Sequence, residues 1–117
     1  MSEFLTMEGF LYFALNTQFQ KDVALFEGST VWLDAANKFI LFQCRKTSDP
    51  NAGQWTIGFV NKWSEYKQGS NCDVIAWTTA RLVTGTASWT QLVDSPDFVN
   101  RDVASTSVTL EFLSKGS

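Results

Sequence analysis

The sequence has no histidine, and this absence removes several kinds of chemistry. Without an imidazole the chain lacks a Ser-His-Asp triad, a Cys-His nucleophile pair and a histidine metal ligand. The sequence motifs of phosphate-binding loops, structural zinc sites and nucleophile elbows are absent as well. We therefore expect a protein that is not an enzyme and that uses no cofactor and no metal.

Positive charge and long apolar runs are also scarce. The chain has 9 Lys and Arg against 12 Asp and Glu, a formal net charge of -3. Broad nucleic-acid binding needs clustered basic residues, so we expect no nucleic-acid partner. No apolar run approaches the roughly 18 residues of a membrane span. The first residues carry an acid, Glu3, where a signal peptide has positive charge. These features predict no membrane span and slightly favour the cytoplasm, leaving the compartment otherwise open.

Cysteine is rare too, since the sequence contains only Cys44 and Cys72, 28 positions apart. They form either one disulfide or two buried thiols. A chain of 117 residues buries about two thirds of its unfolded surface without such a bridge. The composition, with 44% apolar and 18% charged residues, predicts that residues 1–117 form one globular domain.

The dominant hydrophobic period is two, which predicts β-strands. Turn signals separate the apolar runs at intervals near 10 residues, a spacing typical of sandwiches and barrels. We therefore predict an all-β fold: a single-domain antiparallel sandwich or flattened barrel of seven to nine short strands with little helix. A short helix is the alternative for the second of the predicted strands. These strands are residues 9–15, 19–26, 30–34, 39–45, 54–60, 72–79, 82–84, 88–93 and 102–113.

Three local signals refine this pattern. Asn37 tolerates positive φ at the third loop position between two strands, which predicts a hairpin. Gly58 is a candidate β-bulge. The loops 48–53 and 94–97 each combine Asp and Pro, a strong turn signal.

Residues 102–113 alternate between two faces. The predicted inward face is Ala104, Thr106, Val108, Leu110 and Phe112, and the outward face is Val103, Ser105, Ser107, Thr109, Glu111 and Leu113.

Aromatic residues are abundant at 15% of the chain, and four of the five tryptophans fall inside predicted strands. These are Trp32, Trp55, Trp77 and Trp89. We expect them mainly in the core, but each buried indole N–H needs a partner, so at least one is expected at a rim or in a groove. A small-ligand pocket inside a barrel, lined by Trp55 and Trp77, is one functional hypothesis.

Trp63 and Tyr66 lie three positions apart in a polar segment, so a helical turn there projects both rings to one side. Neighbouring Asn61, Lys62 and Gln68 offer hydrogen bonds. These five residues are the candidate ligand-binding site, and the leading hypothesis is a non-catalytic binding module that recognises a glycan or an extended polymer. The alternative is that the two rings fold back as a lid over the core.

A hydroxyl-rich face, Ser105, Ser107 and Thr109, is interpreted as a solvent-facing strand surface. If this strand lies at a sheet edge, its low charge favours pairing with a second copy or another protein. The second hypothesis is therefore a protein-interaction or oligomeric subunit that uses an exposed strand edge. Asp49 opens a calcium-like spacing without the distal Glu, which favours a plain turn. The isolated acid Glu111 is expected in solvent.

Overall fold

The computed structural model describes residues 2–26, 28–44, 54–67, 74–93 and 103–115. These residues form eight antiparallel strands that close into a barrel in simple sequence order. The prediction of an all-β antiparallel fold of seven to nine strands is confirmed, and of the two predicted architectures the structure has the barrel. The strands are β1 Ser2–Glu8, β2 Gln18–Phe26, β3 Ser29–Asp34, β4 Phe39–Gln43, β5 Trp55–Phe59, β6 Ala76–Thr78, β7 Gly85–Leu92 and β8 Val103–Lys115.

The last strand closes the barrel because it is long enough to pair with two neighbours. The first part of β8 pairs with β7, from Val103 to Leu110. Its second part pairs with β1, from Thr109 to Lys115. Each described strand therefore has a partner on both sides. The condition for edge pairing, that residues 102–113 form an edge strand, is not met in the described part of the chain, because β8 lies between β7 and β1 in the closed sheet.

Alternate residues of the strands fill the barrel interior. In β8, Val108 and Leu110 are buried, whereas Ser105, Ser107 and Thr109 are exposed, as their alternation predicts. Closed barrels of eight strands are about wide enough for side chains to fill them. The interior core consists of Leu5, Met7, Phe10, Leu15, Phe19, Trp32, Phe39, Leu41, Ile57, Ile75, Ala76, Trp89, Leu92, Val108 and Leu110.

A second, smaller core lies on the outer face of the barrel wall. The outward side chains of β4, Ile40 and Phe42, belong to it, together with Val31 and Tyr66. Tyr66 comes from the helix α1 Trp63–Lys67, which continues a 3-10 turn at Val60–Lys62. Cys44 is also buried in this core and is disulfide-bonded, while Cys72 lies outside the described residues.

The β3–β4 hairpin forms as its sequence predicts. Asn37 has φ 56, the left-handed conformation that Asn tolerates better than most residues. The Asp34 carboxylate accepts hydrogen bonds from the N–H groups of Lys38 at 2.6 Å and Phe39 at 2.7 Å. The Asp34 side chain therefore stabilises the turn and also binds the first backbone N–H group of β4, that of Phe39.

The apolar run at residues 9–15 is not a strand. The strand lies earlier, at Ser2–Glu8, and Gly9 ends it with φ 117. An added Cβ at Gly9 overlaps the Ser107 carbonyl, so only glycine allows this close approach to β8. The apolar run continues into a 3-10 helix, Phe13–Leu15. We call residues 9–17 the plug.

Other local predictions also needed correction. Gly58 is not a bulge, because the β4–β5 register runs without interruption; the irregularity in the described strands β2 and β3 falls between Lys21 and Leu25 instead. The predicted strand at 82–84 is absent, and β7 runs unbroken from Gly85 to Leu92. The turns at 48–53 and 94–97 lie outside the described residues.

Candidate functional site

Tyr66, a predicted ligand-binding residue, is a core residue. It is 1% exposed, and its ring stacks on Phe42 with centroids 5.1 Å apart. Its hydroxyl accepts a hydrogen bond from the Phe59 N–H at 3.3 Å. Gly58 makes room for this ring, since an added Cβ would lie 2.5 Å from the Tyr66 hydroxyl oxygen. For Tyr66 the lid interpretation is right, and a ligand does not reach the ring.

Trp63 is half-buried on the same helix. Its ring meets Phe42 edge to face at 5.3 Å, and the Lys67 ammonium lies 5.8 Å from its centroid. Asn61 is exposed and Lys62 is half-buried, while Gln68 lies outside the described residues. The structure therefore keeps Trp63, Asn61 and Lys62 near each other at the surface but removes Tyr66 from the group.

Trp55 and Trp77 do not share a face of the sheet. The β5–β6 register pairs Trp55 with Thr78 and Thr56 with Trp77. Because directly paired residues share a face and neighbours along a strand alternate, the two indoles project in opposite directions. Trp55 packs against the interior core, and Trp77 contacts both cores. The register contradicts an interior pocket lined by both rings.

The plug presents the most exposed aromatic ring of the described residues. Phe13 is 82% exposed and Leu11 is 63% exposed, whereas Phe10 and Leu15 belong to the interior core. The ring of Phe10 meets Trp89 at 5.4 Å. The plug thus crosses one end of the barrel and divides its apolar residues between the core and the solvent. Sequence reasoning missed this surface because a continuous apolar run indicates burial on both faces.

Side-chain hydrogen bonds fix the plug backbone. Asn16 accepts from the Phe10 N–H at 2.8 Å and donates to the Phe10 carbonyl at 3.0 Å. Gln91, buried in β7, accepts from the Leu11 N–H at 2.6 Å. Thr106 donates to the Gly9 carbonyl at 2.7 Å. The polar groups that surround the exposed side chains are therefore already paired within the protein.

A surface cleft runs beside these exposed side chains. Its volume is about 300 Å³, and its walls come from the plug and the end of β7. Val93, at this end of β7, is exposed as well. We call Leu11, Phe13 and Val93 the apolar rim. The residues that line the cleft are Leu11, Tyr12, Phe13, Gln91 and Val93.

The described residues contain no group of three or more acidic or cysteine side chains placed to hold a metal ion. In the same part of the chain, no helix has the length and apolar character needed to cross a membrane. Comparison with protein-family models, with curated proteins and with solved structures finds no match.

Proposed function

We propose that this protein is a non-catalytic binding module that contacts a protein partner through the apolar rim. One observation carries the proposal: Leu11 and Phe13 are 63% and 82% exposed on a backbone that hydrogen bonds hold in place. Adjacent exposed apolar side chains on a folded surface are typical of interaction sites.

Covering this rim contributes a substantial part of the free energy that a specific complex needs. Full burial of one Phe or Leu side chain stabilises a complex by about 1.5–3 kcal/mol. Two such anchors correspond to about 10²–10⁴ in affinity. The bonds from Asn16 and Gln91 order the loop before contact, so binding does not have to order it.

A protein partner fits this surface better than a glycan does. Phe13 is the one ring of the rim, and Leu11 and Val93 beside it are aliphatic and offer no ring face for a sugar. The polar side chains beside them, Asn16 and Gln91, are already engaged with plug and strand backbone. An apolar pocket on a partner protein therefore complements the rim, with Phe13 as the central anchor.

Photo-crosslinking with p-benzoylphenylalanine at position 13 identifies the partner, and the purified pair is then used to measure affinity. We expect Phe13→Ser to weaken binding at least tenfold. Val83→Ser is the matched control, because Val83 is an exposed apolar residue away from the rim. Equal affinity of the wild type and Phe13→Ser, or equal losses for both variants, would contradict the proposal.

Glycan recognition at Trp63 is a second candidate, favoured by the half-exposed indole beside Asn61 and Lys62. Aromatic faces next to polar groups suit the apolar faces of sugar rings. A glycan array with Trp63→Ala and Phe13→Ala separates the two surfaces. Loss of signal in Trp63→Ala alone, at unchanged melting temperature, supports the glycan site. Absence of any wild-type signal removes it.

A further inference from the structure

A second cleft lies near the opposite end of the barrel, where β1 begins and β8 ends. Its volume is about 240 Å³. We call it the mouth cleft, since it lies between the first residues of β1, the middle of β3 and the end of β8. Such positions at barrel mouths are common ligand sites. The residues that line it are Glu3, Phe4, Trp32, Phe112 and Leu113.

Trp32 carries a buried donor that has no partner in the described part of the chain. The side chain is 5% exposed, and its Nε1 atom has no hydrogen-bond partner among the described residues. Buried polar groups are nearly always paired, so an unpaired indole N–H beside a cleft indicates an acceptor that a bound molecule supplies.

Trp89 provides the internal comparison. Its Nε1 atom is also buried without a partner in the described structure, but its ring packs against Phe10 within the interior core. Trp32 instead faces Phe112 at 5.8 Å, and Phe112 is 37% exposed. A ring with this exposure can shift to admit a ligand, whereas the surroundings of Trp89 are closed.

The charges at the cleft favour a neutral ligand. Glu3 forms an ion pair with Lys21 at 2.9 Å, and Lys21 lies opposite Trp32 in the β2–β3 register. The two charges compensate each other at the rim, while Phe4, Phe112 and Leu113 make the remaining wall apolar. Among the described residues, the cleft therefore offers apolar contacts and no uncompensated charge, and the lining residue Trp32 carries a buried donor without a partner.

We propose that the mouth cleft binds a compact, neutral, apolar molecule with one hydrogen-bond acceptor, which accepts from Trp32 Nε1. This site is separate from the apolar rim, so it does not depend on the proposed protein partner. The proposed small-molecule site therefore uses Trp32, whereas the sequence predicted a pocket lined by Trp55 and Trp77.

Two probes that differ in their acceptor test the proposal. Acetophenone has a carbonyl oxygen on an apolar ring, and ethylbenzene has a similar shape without the oxygen. Each is titrated into the ¹³C,¹⁵N-labelled full chain while the indole N–H signals are followed by NMR, with the Trp32 signal assigned by triple-resonance experiments on the wild type. We expect a saturable downfield shift of the Trp32 signal with acetophenone only, and no shift of the Trp89 signal.

The variant completes the test. Trp32→Phe keeps an aromatic ring but removes the donor, so we expect acetophenone to bind about five- to tenfold more weakly. The affinity for ethylbenzene, read from the Leu113 methyl signals, should not change. If Trp32→Phe fails to fold, the wild-type titration decides alone. A Trp32 signal that does not move up to the solubility limit of acetophenone, or equal shifts with both probes, overturns the proposal.

Discussion

The two ends of the barrel treat apolar side chains in opposite ways. At the plug, a chain segment crosses the end, buries Phe10 and leaves Phe13 in solvent. At the mouth cleft, the apolar rings Trp32 and Phe112 face each other below an ion pair at the rim. The plug thus presents a projecting apolar surface, and the mouth offers a recess.

Their polar groups differ in the same way. In the plug, the side chains of Asn16 and Gln91 pair with the backbone, so the polar groups of this loop are already satisfied before any contact. At the mouth, the Trp32 Nε1 atom has no partner among the described residues. A saturated end suits recognition by surface contact, and an unsaturated recess suits a small molecule. The difference is the one we expect if the two proposed sites are independent.

The largest expected effect separates the two sides of the plug. Phe10→Ala should lower the free energy of unfolding by about 3–5 kcal/mol, because it removes a buried ring that packs on Trp89. Phe13→Ala is the matched control and should change it by less than about 0.5 kcal/mol, since that ring is exposed. Urea unfolding measures both. Similar losses for the two variants would show that the plug does not divide its rings in this way.

The next effect tests whether the outer wall is independent of both ends. Gly58→Ala places a methyl group against the Tyr66 hydroxyl, so we expect a loss of about 1–3 kcal/mol from overpacking. NMR signals of Leu11 and Trp32 should keep their wild-type positions, while those of Trp63 move. Large shifts at either end would mean that the wall and the ends are coupled.

A smaller effect tests how strongly the Asn16 hydrogen bonds stabilise the backbone of the plug. Asn16→Ala removes the two hydrogen bonds to Phe10, and we expect a loss of about 1–2 kcal/mol. Hydrogen exchange of the Phe10 amide should become faster, with no change at Trp32. Unchanged exchange at Phe10 would argue that the Gln91 and Thr106 contacts alone hold the loop.

The smallest effect concerns the rim of the mouth. Lys21→Met breaks the ion pair between Lys21 and Glu3. The side chain of Lys21 is 45% exposed and that of Glu3 is 48% exposed. Exposed pairs of this kind contribute little, so the stability should change by less than about 0.5 kcal/mol. Thermal unfolding at low and high salt measures it. A loss of stability as large as that of Asn16→Ala would mean that the ion pair at the mouth stabilises the fold as much as the Asn16 hydrogen bonds in the plug do.

Period-two alternation was enough to predict the β class and the buried positions Val108 and Leu110 of β8, because each residue's orientation in a strand follows from its neighbours. Phe112, also predicted to face inward, is 37% exposed. The Asn37 turn was predictable for a similar reason, since its φ is a local property. A helical turn at Trp63 and Tyr66 was considered only as the condition under which both rings project to one side. The burial of Tyr66 depends on the space at Gly58 in β5, outside that helix.

The plug and the mouth cleft could not be predicted from local patterns. The apolar run at residues 9–15 resembles a buried strand, and only the Gly9 contact with β8 and the Gln91 bond to Leu11 turn it across the barrel end. Similarly, Trp32 meets Phe112 from a strand 80 positions away in the sequence. These contacts join residues that no short window contains.

By itself the sequence determined the β class, the alternation of residues within most of its strands and the β3–β4 turn, since backbone conformation and side-chain direction are set over a few residues. Tertiary structure decided that the sheet closes, which rings remain in solvent and which indole donors stay unpaired. Those outcomes depend on the register between distant strands and on the space each side chain finds across the barrel.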